Sequence, residues 1–180
     1  MTCIASLTLQ SFRNYERAGL DNLPSGPVVL YGSNGAGKTN ILEAVSFFSP
    51  GRGLRGAKIT EIQRISDKAG EAVAPWAISA IAETSYGETR IGTGADPEKE
   101  RRIIRINGAD ASQNTLSEYL ACVWLTPQMD RLFMDAASSR RRFLDRLIFA
   151  FDPAHAGRVS RYEKNMGQRS RVLKDHSAPD

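Results

Sequence analysis

The chain has 180 residues, 41% of them hydrophobic, with 24 Lys and Arg against 20 Asp and Glu for a formal net charge of +4. That length suits one α/β domain, or one domain and the start of another, and no run of eighteen apolar residues offers a membrane span. Residues 1–6 lack the basic head and apolar stretch of a signal peptide. Cys3 and Cys122 lie in apolar surroundings without Cys/His ligand spacing, so the expectation is a cytoplasmic protein with buried thiols and no metal site.

Residues 3–10 alternate imperfectly and predict a half-buried strand. Phe12-Arg13-Asn14-Tyr15 follows it, and at this point Arg13 and Asn14 read equally as a polar turn or as something more. After a Pro/Gly turn at residues 22–27, Val28-Val29-Leu30-Tyr31 predicts a buried strand. It leads into Gly32-Ser33-Asn34-Gly35-Ala36-Gly37-Lys38-Thr39, the G-x-x-x-x-G-K-[ST] phosphate-binding loop.

Each residue type in that loop meets a physical demand. Glycines let the backbone take positive φ and approach phosphate oxygens with no Cβ in the way. Successive N–H groups then form an anion nest, and the next helix aims its positive end at the same point. Lys38 would bridge the β- and γ-phosphates of ATP, and the Thr39 hydroxyl would bind Mg2+. Behind the loop, Ile41, Leu42, Val45 and Phe48 recur at the spacing of a helix packed on a sheet.

Ser49-Pro50-Gly51-Arg52-Gly53-Leu54-Arg55-Gly56 is a basic, glycine-rich loop. Arg52 and Arg55 either reach phosphate or are solvated on a flexible loop. A short helix is expected over residues 59–65. Strands are expected at 76–83, 89–93 and 102–106, joined by turn signals and closed by Asn107-Gly108, which makes an antiparallel meander.

Residues 112–120 predict a short helix begun by Ser112. Ala121-Cys122-Val123-Trp124-Leu125 predicts a second buried strand. It ends at Thr126-Pro127-Gln128, where Gln128 either touches metal and attacking water at a strand's carboxyl end or belongs to a helix start. An amphipathic helix follows from Ser138, with Phe143, Leu144, Leu147, Ile148 and Phe151 as its apolar face. A basic helix begins near Pro153. Residues 138–180 hold ten Lys/Arg against five Asp/Glu, and residues 1–137 fourteen against fifteen, so the excess positive charge is C-terminal. Such a segment either tracks a phosphate backbone or is a solvated face.

Taken together, several motifs resemble the bacterial RecF family, relatives of the SMC-type ATP-binding cassette proteins. They are Phe12-Arg13-Asn14-Tyr15, the loop 32–39 with Asn40, Leu42 and Glu43 behind it, and Gly51-Arg52-Gly53-Leu54-Arg55. Further on are Trp124-Leu125-Thr126-Pro127-Gln128-Met129-Asp130-Arg131-Leu132 and Ser139-Arg140-Arg141-Arg142-Phe143-Leu144-Asp145. The resemblance implies an α/β fold: a P-loop NTPase with an ABC-ATPase-like head over residues 1–150, an antiparallel β-meander, and the start of a helical arm over 151–180. It implies nucleotide contacts by Arg13, Asn14 and Asn40 beside the loop. Gln128 takes a catalytic and metal-sensing role with Lys38, and Arg52 and Arg55 lie near bound DNA or the nucleotide. The triple arginine 140–142 would pair with carboxylates of the domain.

The implied activity is ATP-dependent DNA binding in recombinational repair, replication restart and the SOS response. Single-stranded and gapped duplex DNA, the mediator proteins RecO and RecR, and a second copy joined on ATP binding are the implied partners. Family members run to about twice this length and carry a signature motif and a Walker B Asp-Glu pair. Residues 150–180 contain no apolar strand ending in such a pair, so an N-terminal half with incomplete ATPase machinery is expected. Two other classes fit the P-loop: a small-molecule kinase, and an interaction lobe with a vestigial loop.

Overall fold

A computed structural model describes residues 2–66, 73–99 and 101–175. Its described chain divides into two compact units, residues 1–124 and 125–180. The last five residues of the expected basic segment, 176–180, lie outside the described residues.

The first unit is built on an antiparallel sheet of six strands: β1 (Cys3–Phe12), β2 (Tyr15–Leu20), β3 (Ala77–Thr84), β4 (Gly87–Ala95), β5 (Arg102–Ile106) and β6 (Ala109–Asp110). Their order is β2-β1-β3-β4-β5-β6. The expected meander is therefore present, with the N-terminal hairpin added along one side of it. Register places one apolar row on one face: Leu9 opposite Ile78, Ile78 opposite Thr93, and Thr93 opposite Ile104. Asn107 and Gly108, both at positive φ, turn β5 into β6, as an Asn-Gly hairpin demands.

That face is closed by the end of α1 (Lys38–Ser46) and the residues after it. Phe12, Phe47 and Trp76 meet there with ring centroids 5.6–6.1 Å apart, and the Trp76 indole N–H donates to the Ile59 carbonyl at 3.1 Å. Such rings dominate a core by area and need their polar tip satisfied. Two short helices, α2 (Ile59–Ile62) and α3 (Leu116–Tyr119), seal the edges of this cluster through the buried Ile62 and Leu116.

Two expected strands are not strands. Residues 28–31 and 121–125 belong to no ladder among the described residues. Val29 is 80% exposed and Tyr31 92%, and Val123 and Leu125 are also exposed. A buried strand needs neighbours along its edges and over its faces. The antiparallel sheet ends in β2 and β6 and supplies none to these segments. Val28 and Leu30 instead line an apolar cavity of about 310 Å³ with Leu7, Ile41 and Val45.

The expected apolar stripe of α1 holds at Ile41, Val45 and Phe48, which pack on the core, and is corrected at Leu42. Leu42 is exposed and Ile41 and Val45 half-buried, whereas Glu43, Ala44, Phe47 and Phe48 are buried. The helix is turned so that a carboxylate, not Leu42, faces inward.

In the second unit a 3₁₀ turn (Pro127–Arg131) precedes α4 (Ala137–Phe149) and α5 (Ala154–Asp175). Pro127 opens the 3₁₀ turn, which is the helix start that the Thr-Pro pair allowed. The two helices are joined by His155 on Asp145 at 2.8 Å and by Arg141 over the Tyr162 ring. Beyond residue 160, α5 is solvent-exposed along its described length. No described helix is long and apolar enough to cross a membrane.

Candidate nucleotide-binding site

The loop 32–39 lies wholly within the first unit. Gly32, Gly35 and Gly37 take φ of 144°, 84° and 93°, so the positions that favour glycine by chemistry are those that use its freedom. Gly37 is the N-cap of α1 and brings no capping side chain. The amides of Asn40 and Ile41 turn back to the Gly37 carbonyl at 2.7 and 3.2 Å. Those of Lys38 and Thr39 have no acceptor among the described contacts, which leaves donors for an anion at the helix's positive end. Lys38 Nζ donates to the carbonyls of Gly32 and Ser33 at 2.8 and 2.7 Å, which holds its ammonium within the curl of the loop. Ser33, Asn34, Ala36 and the Thr39 side chain are solvent-accessible there. This donor set, one ammonium plus bare amides around a glycine cradle, fits a polyphosphate, and the accessible Thr39 hydroxyl fits the Mg2+ that accompanies ATP.

The hairpin between β1 and β2 leans on this loop. A Cβ on Gly37 would come within 2.4 Å of the Tyr15 hydroxyl oxygen and 2.9 Å of Asn14 Nδ2. The Tyr15 hydroxyl also donates to the Ala36 carbonyl at 3.3 Å. Asn40 Nδ2 donates to Asn14 Oδ1 at 2.7 Å. Asn14 is thus tied to the residue that follows the loop, and Arg13 to Glu43 of the same helix.

Arg13 reaches further. It sits at φ 55°, a conformation costly for a residue with a Cβ. Four contacts hold it there. Its N–H donates to the Ile62 carbonyl at 2.9 Å, Nη1 to the Glu61 carbonyl at 2.6 Å, and Nε and Nη2 fork onto the Glu43 carboxylate at 2.9 and 2.6 Å. Glu43 Oε2, which accepts Arg13 Nε, also receives Arg55 Nη1 at 2.6 Å, and that nitrogen donates to Asn40 Oδ1 at 2.8 Å.

The glycine-arginine loop is tethered, which answers the alternative of a flexible excursion. The Leu54 amide donates to Ser46 Oγ at 2.7 Å and the Gly51 amide to Gln113 Oε1 at 3.2 Å. Arg102 donates to the Gly51 carbonyl at 2.9 Å, to Thr93 Oγ1 at 2.7 Å, and to the Phe47 carbonyl. Its guanidinium lies 5.2 Å from the Phe47 ring centroid, and burial pulls its pKa down to about 10. Arg52 is exposed, and Arg55 keeps 40% of its side chain accessible.

Gln128 lies in the 3₁₀ turn of the second unit and is exposed. The triple arginine makes no carboxylate pair among the described contacts: Arg140 donates to the Asp135 and Phe133 carbonyls, Arg142 to the Ser138 carbonyl, and Arg141 packs on Tyr162. Sequence reasoning missed Tyr15, Glu43 and Arg102 as parts of the site. For Glu43 the available signal was its position three residues after Asn40, on the same helical face. A solvated glutamate has the same spacing.

A strand hairpin leaning on a glycine loop, with a meander at its side, defines an SMC-type ATPase head. The chain belongs to the RecF/RecN/SMC N terminal domain family, which matches residues 3–170. It is 48% identical over 96% of its length to the DNA replication and repair protein RecF of Caulobacter sp. (strain K31). It is also 48% identical over 99% of its length to the RecF of Mesorhizobium japonicum. It covers 45% and 46% of those proteins, so the chain spans just under half the length of the curated relatives it matches. A solved structure of the recombination mediator protein RecF with ATPrS superposes with a TM-score of 0.82 at 23% identity, over 99% of this chain and 47% of that one. A structure from work on ATP-driven dimerization and DNA-stimulated activation of SMC ATPases superposes at 0.57 and 19% identity, over 80% of this chain and 98% of that one. At such identities these two establish the fold.

Proposed function

We propose that this chain is the ATP-binding portion of a RecF-type DNA replication and repair protein. The observation that carries the reading is the loop 32–39: three glycines at positive φ, free amides at Lys38 and Thr39, and a lysine curled into the loop. Residues 32–39 with Asn40, Arg13 and Asn14 would hold the nucleotide, Thr39 the Mg2+, and Lys38 would serve the hydrolytic site. Bound Mg2+ would neutralise charge on the β- and γ-phosphates. Binding, rather than fast turnover, is the activity expected of these residues, because a general base and a second subunit's motif are needed for efficient hydrolysis.

For the whole protein, ATP would act as a switch that joins two copies over DNA, single-stranded or gapped duplex, in the cytoplasm. RecO and RecR are the proposed partners. Arg52 is a proposed DNA contact, together with the basic helix α5, and the loop it shares with Arg55 would lie near DNA or the nucleotide. The curated relatives' names support a repair and replication role.

The test measures gapped-DNA affinity of the full-length protein with and without Mg-ATP, for wild type and Lys38→Ala. Tightening with ATP that Lys38→Ala abolishes is expected. Equal affinity in all four conditions rejects the switch.

A further inference from the structure

Five side chains close a ring around the first turns of α1. Arg13 forks onto Glu43, Glu43 receives Arg55, Arg55 donates to Asn40, and Asn40 donates to Asn14, the covalent neighbour of Arg13. At its centre Glu43 has a side chain with no accessible surface, while Arg13 and Arg55 keep 19% and 40% of theirs. The carboxylate therefore lies behind and the guanidinium groups in front, toward solvent. Two cations on one anion leave an excess of one positive charge beside the phosphate loop.

We propose that Glu43 is a positioning residue for the nucleotide site, holding Arg13 and Arg55 as a matched pair aimed at bound phosphate. The inference rests on the nucleotide reading above and deepens it. Three observations support a role beyond packing. Arg13 is bidentate on both carboxylate oxygens, which fixes its guanidinium plane, and Arg55 shares Oε2 through one nitrogen. Arg13 keeps a left-handed backbone that its side-chain anchor helps to impose, and such conformations persist where the surroundings over-determine them. The third is that Arg55 shares one nitrogen between Glu43 and Asn40, so the clamp is joined directly to the first turn after Lys38. Without the negative charge, two guanidinium groups at hydrogen-bonding distance of a single side chain repel each other and swing to solvent, and both are lost to the phosphates.

The experiment is a double-mutant cycle on the full 180-residue chain, with Mg-ATP and inorganic triphosphate as probes and calorimetric titration as the readout. Glu43→Gln keeps shape and removes charge, and Arg55→Met removes one partner. Each single change is expected to weaken both probes about tenfold. The pair together is expected to be no weaker than the worse single within about twofold, because one acts through the other. A merely structural glutamate would lower the melting temperature and leave affinity unchanged, or would add its cost in full to that of Arg55→Met. Either result overturns the proposal. Should Glu43→Gln fail to melt cooperatively, Arg55→Met and Arg55→Lys carry the comparison. Weakening by Met and partial retention by Lys support the clamp, and wild-type affinity in both overturns it. Lys38→Ala separates the two levels. Binding lost in Lys38→Ala but untouched by Glu43 and Arg55 changes rejects the clamp alone, whereas wild-type protein that binds neither probe at 5 mM rejects the nucleotide reading and the clamp with it.

Discussion

Replacing Arg102 by methionine tests whether hydrogen bonds or desolvation decide the energy of a buried cation. Burial draws the guanidinium down from its ordinary value to about 10, and at about 1.4 kcal/mol per pKa unit that is a cost of roughly 3 kcal/mol. Against it stand three donated bonds, to Thr93 Oγ1, the Gly51 carbonyl and the Phe47 carbonyl. Bonds from a charged donor contribute roughly 1.5–3 kcal/mol each, together about 5–9 kcal/mol. Phe47 is the C-cap of α1, so one bond also satisfies a carbonyl at the negative end of the helix. The bonds win by about 2–6 kcal/mol. Methionine fills most of the aliphatic volume, relieves the desolvation and leaves the carbonyls without their donor. With a urea m-value of about 2 kcal/mol/M, the unfolding midpoint should fall by about 1–3 M. Exchange of the Leu54 and Gly51 amides should also speed up as the loop loses an anchor. A midpoint unchanged or raised would refute the reasoning, placing Arg102 among buried charges that an apolar residue replaces without loss.

Other outcomes follow from single contacts. Gly37→Ala puts a methyl 2.4 Å from the Tyr15 hydroxyl at a φ of 93°. It should cost about 2–4 kcal/mol in urea unfolding and abolish the melting-temperature rise that saturating Mg-ATP gives the wild type, about 2.7 kcal/mol of stabilisation at a hundred times Kd. Burial raises the Cys122 thiol from 9 to about 12, so between those values the native state holds a proton that the unfolded thiol has released. Stability must then fall as pH rises. From pH 9 to 10 the thiol's share of the loss is about 1 kcal/mol, partly offset as Arg102, near 10, titrates in the opposite sense, and that share should vanish in Cys122→Ala. The same raised pKa should slow alkylation of native Cys122 at pH 8 by about a thousandfold relative to the denatured chain. Val29→Lys, at a position 80% exposed, should lower binding of a hydrophobic dye without lowering the melting temperature. A drop in melting temperature would mean that Val29 is packed in solution.

The elements that the sequence made legible are those whose instructions are local. Asn107-Gly108, the period-two apolar rows of β1 and β3 to β5, and the glycines of the phosphate loop each state their own geometry within a few residues. The structure follows them. Residues 28–31 and 121–125 state theirs just as clearly, as continuous β-branched and apolar runs, yet neither joins the sheet. Their composition describes what they would pack against, and among the described residues no strand pairs with them. Hydropathy records a demand for partners and not their presence, so these two segments were read correctly in kind and wrongly in outcome.

Glu43 shows the converse limit. By period alone, Ile41, Leu42, Val45 and Phe48 outvote a glutamate for the inward face of α1, and a charged residue carries a heavy penalty for burial. What reverses the vote lies far along the chain: Arg13 is 30 residues before it and Arg55 is 12 after. Two guanidinium groups make burial of one carboxylate tolerable, and turning the helix to reach them exposes Leu42. That rotation also fixes the direction of Asn40, one turn closer to the phosphate loop, and through Asn14 the strained hairpin of Arg13. Ile41, Val45 and Phe48 keep their contact with the core, so the conflict is confined to one position, where electrostatics places Glu43 inward and Leu42 outward. A buried carboxylate set against an exposed leucine beside a ligand site is the kind of local conflict that function, rather than stability, sustains.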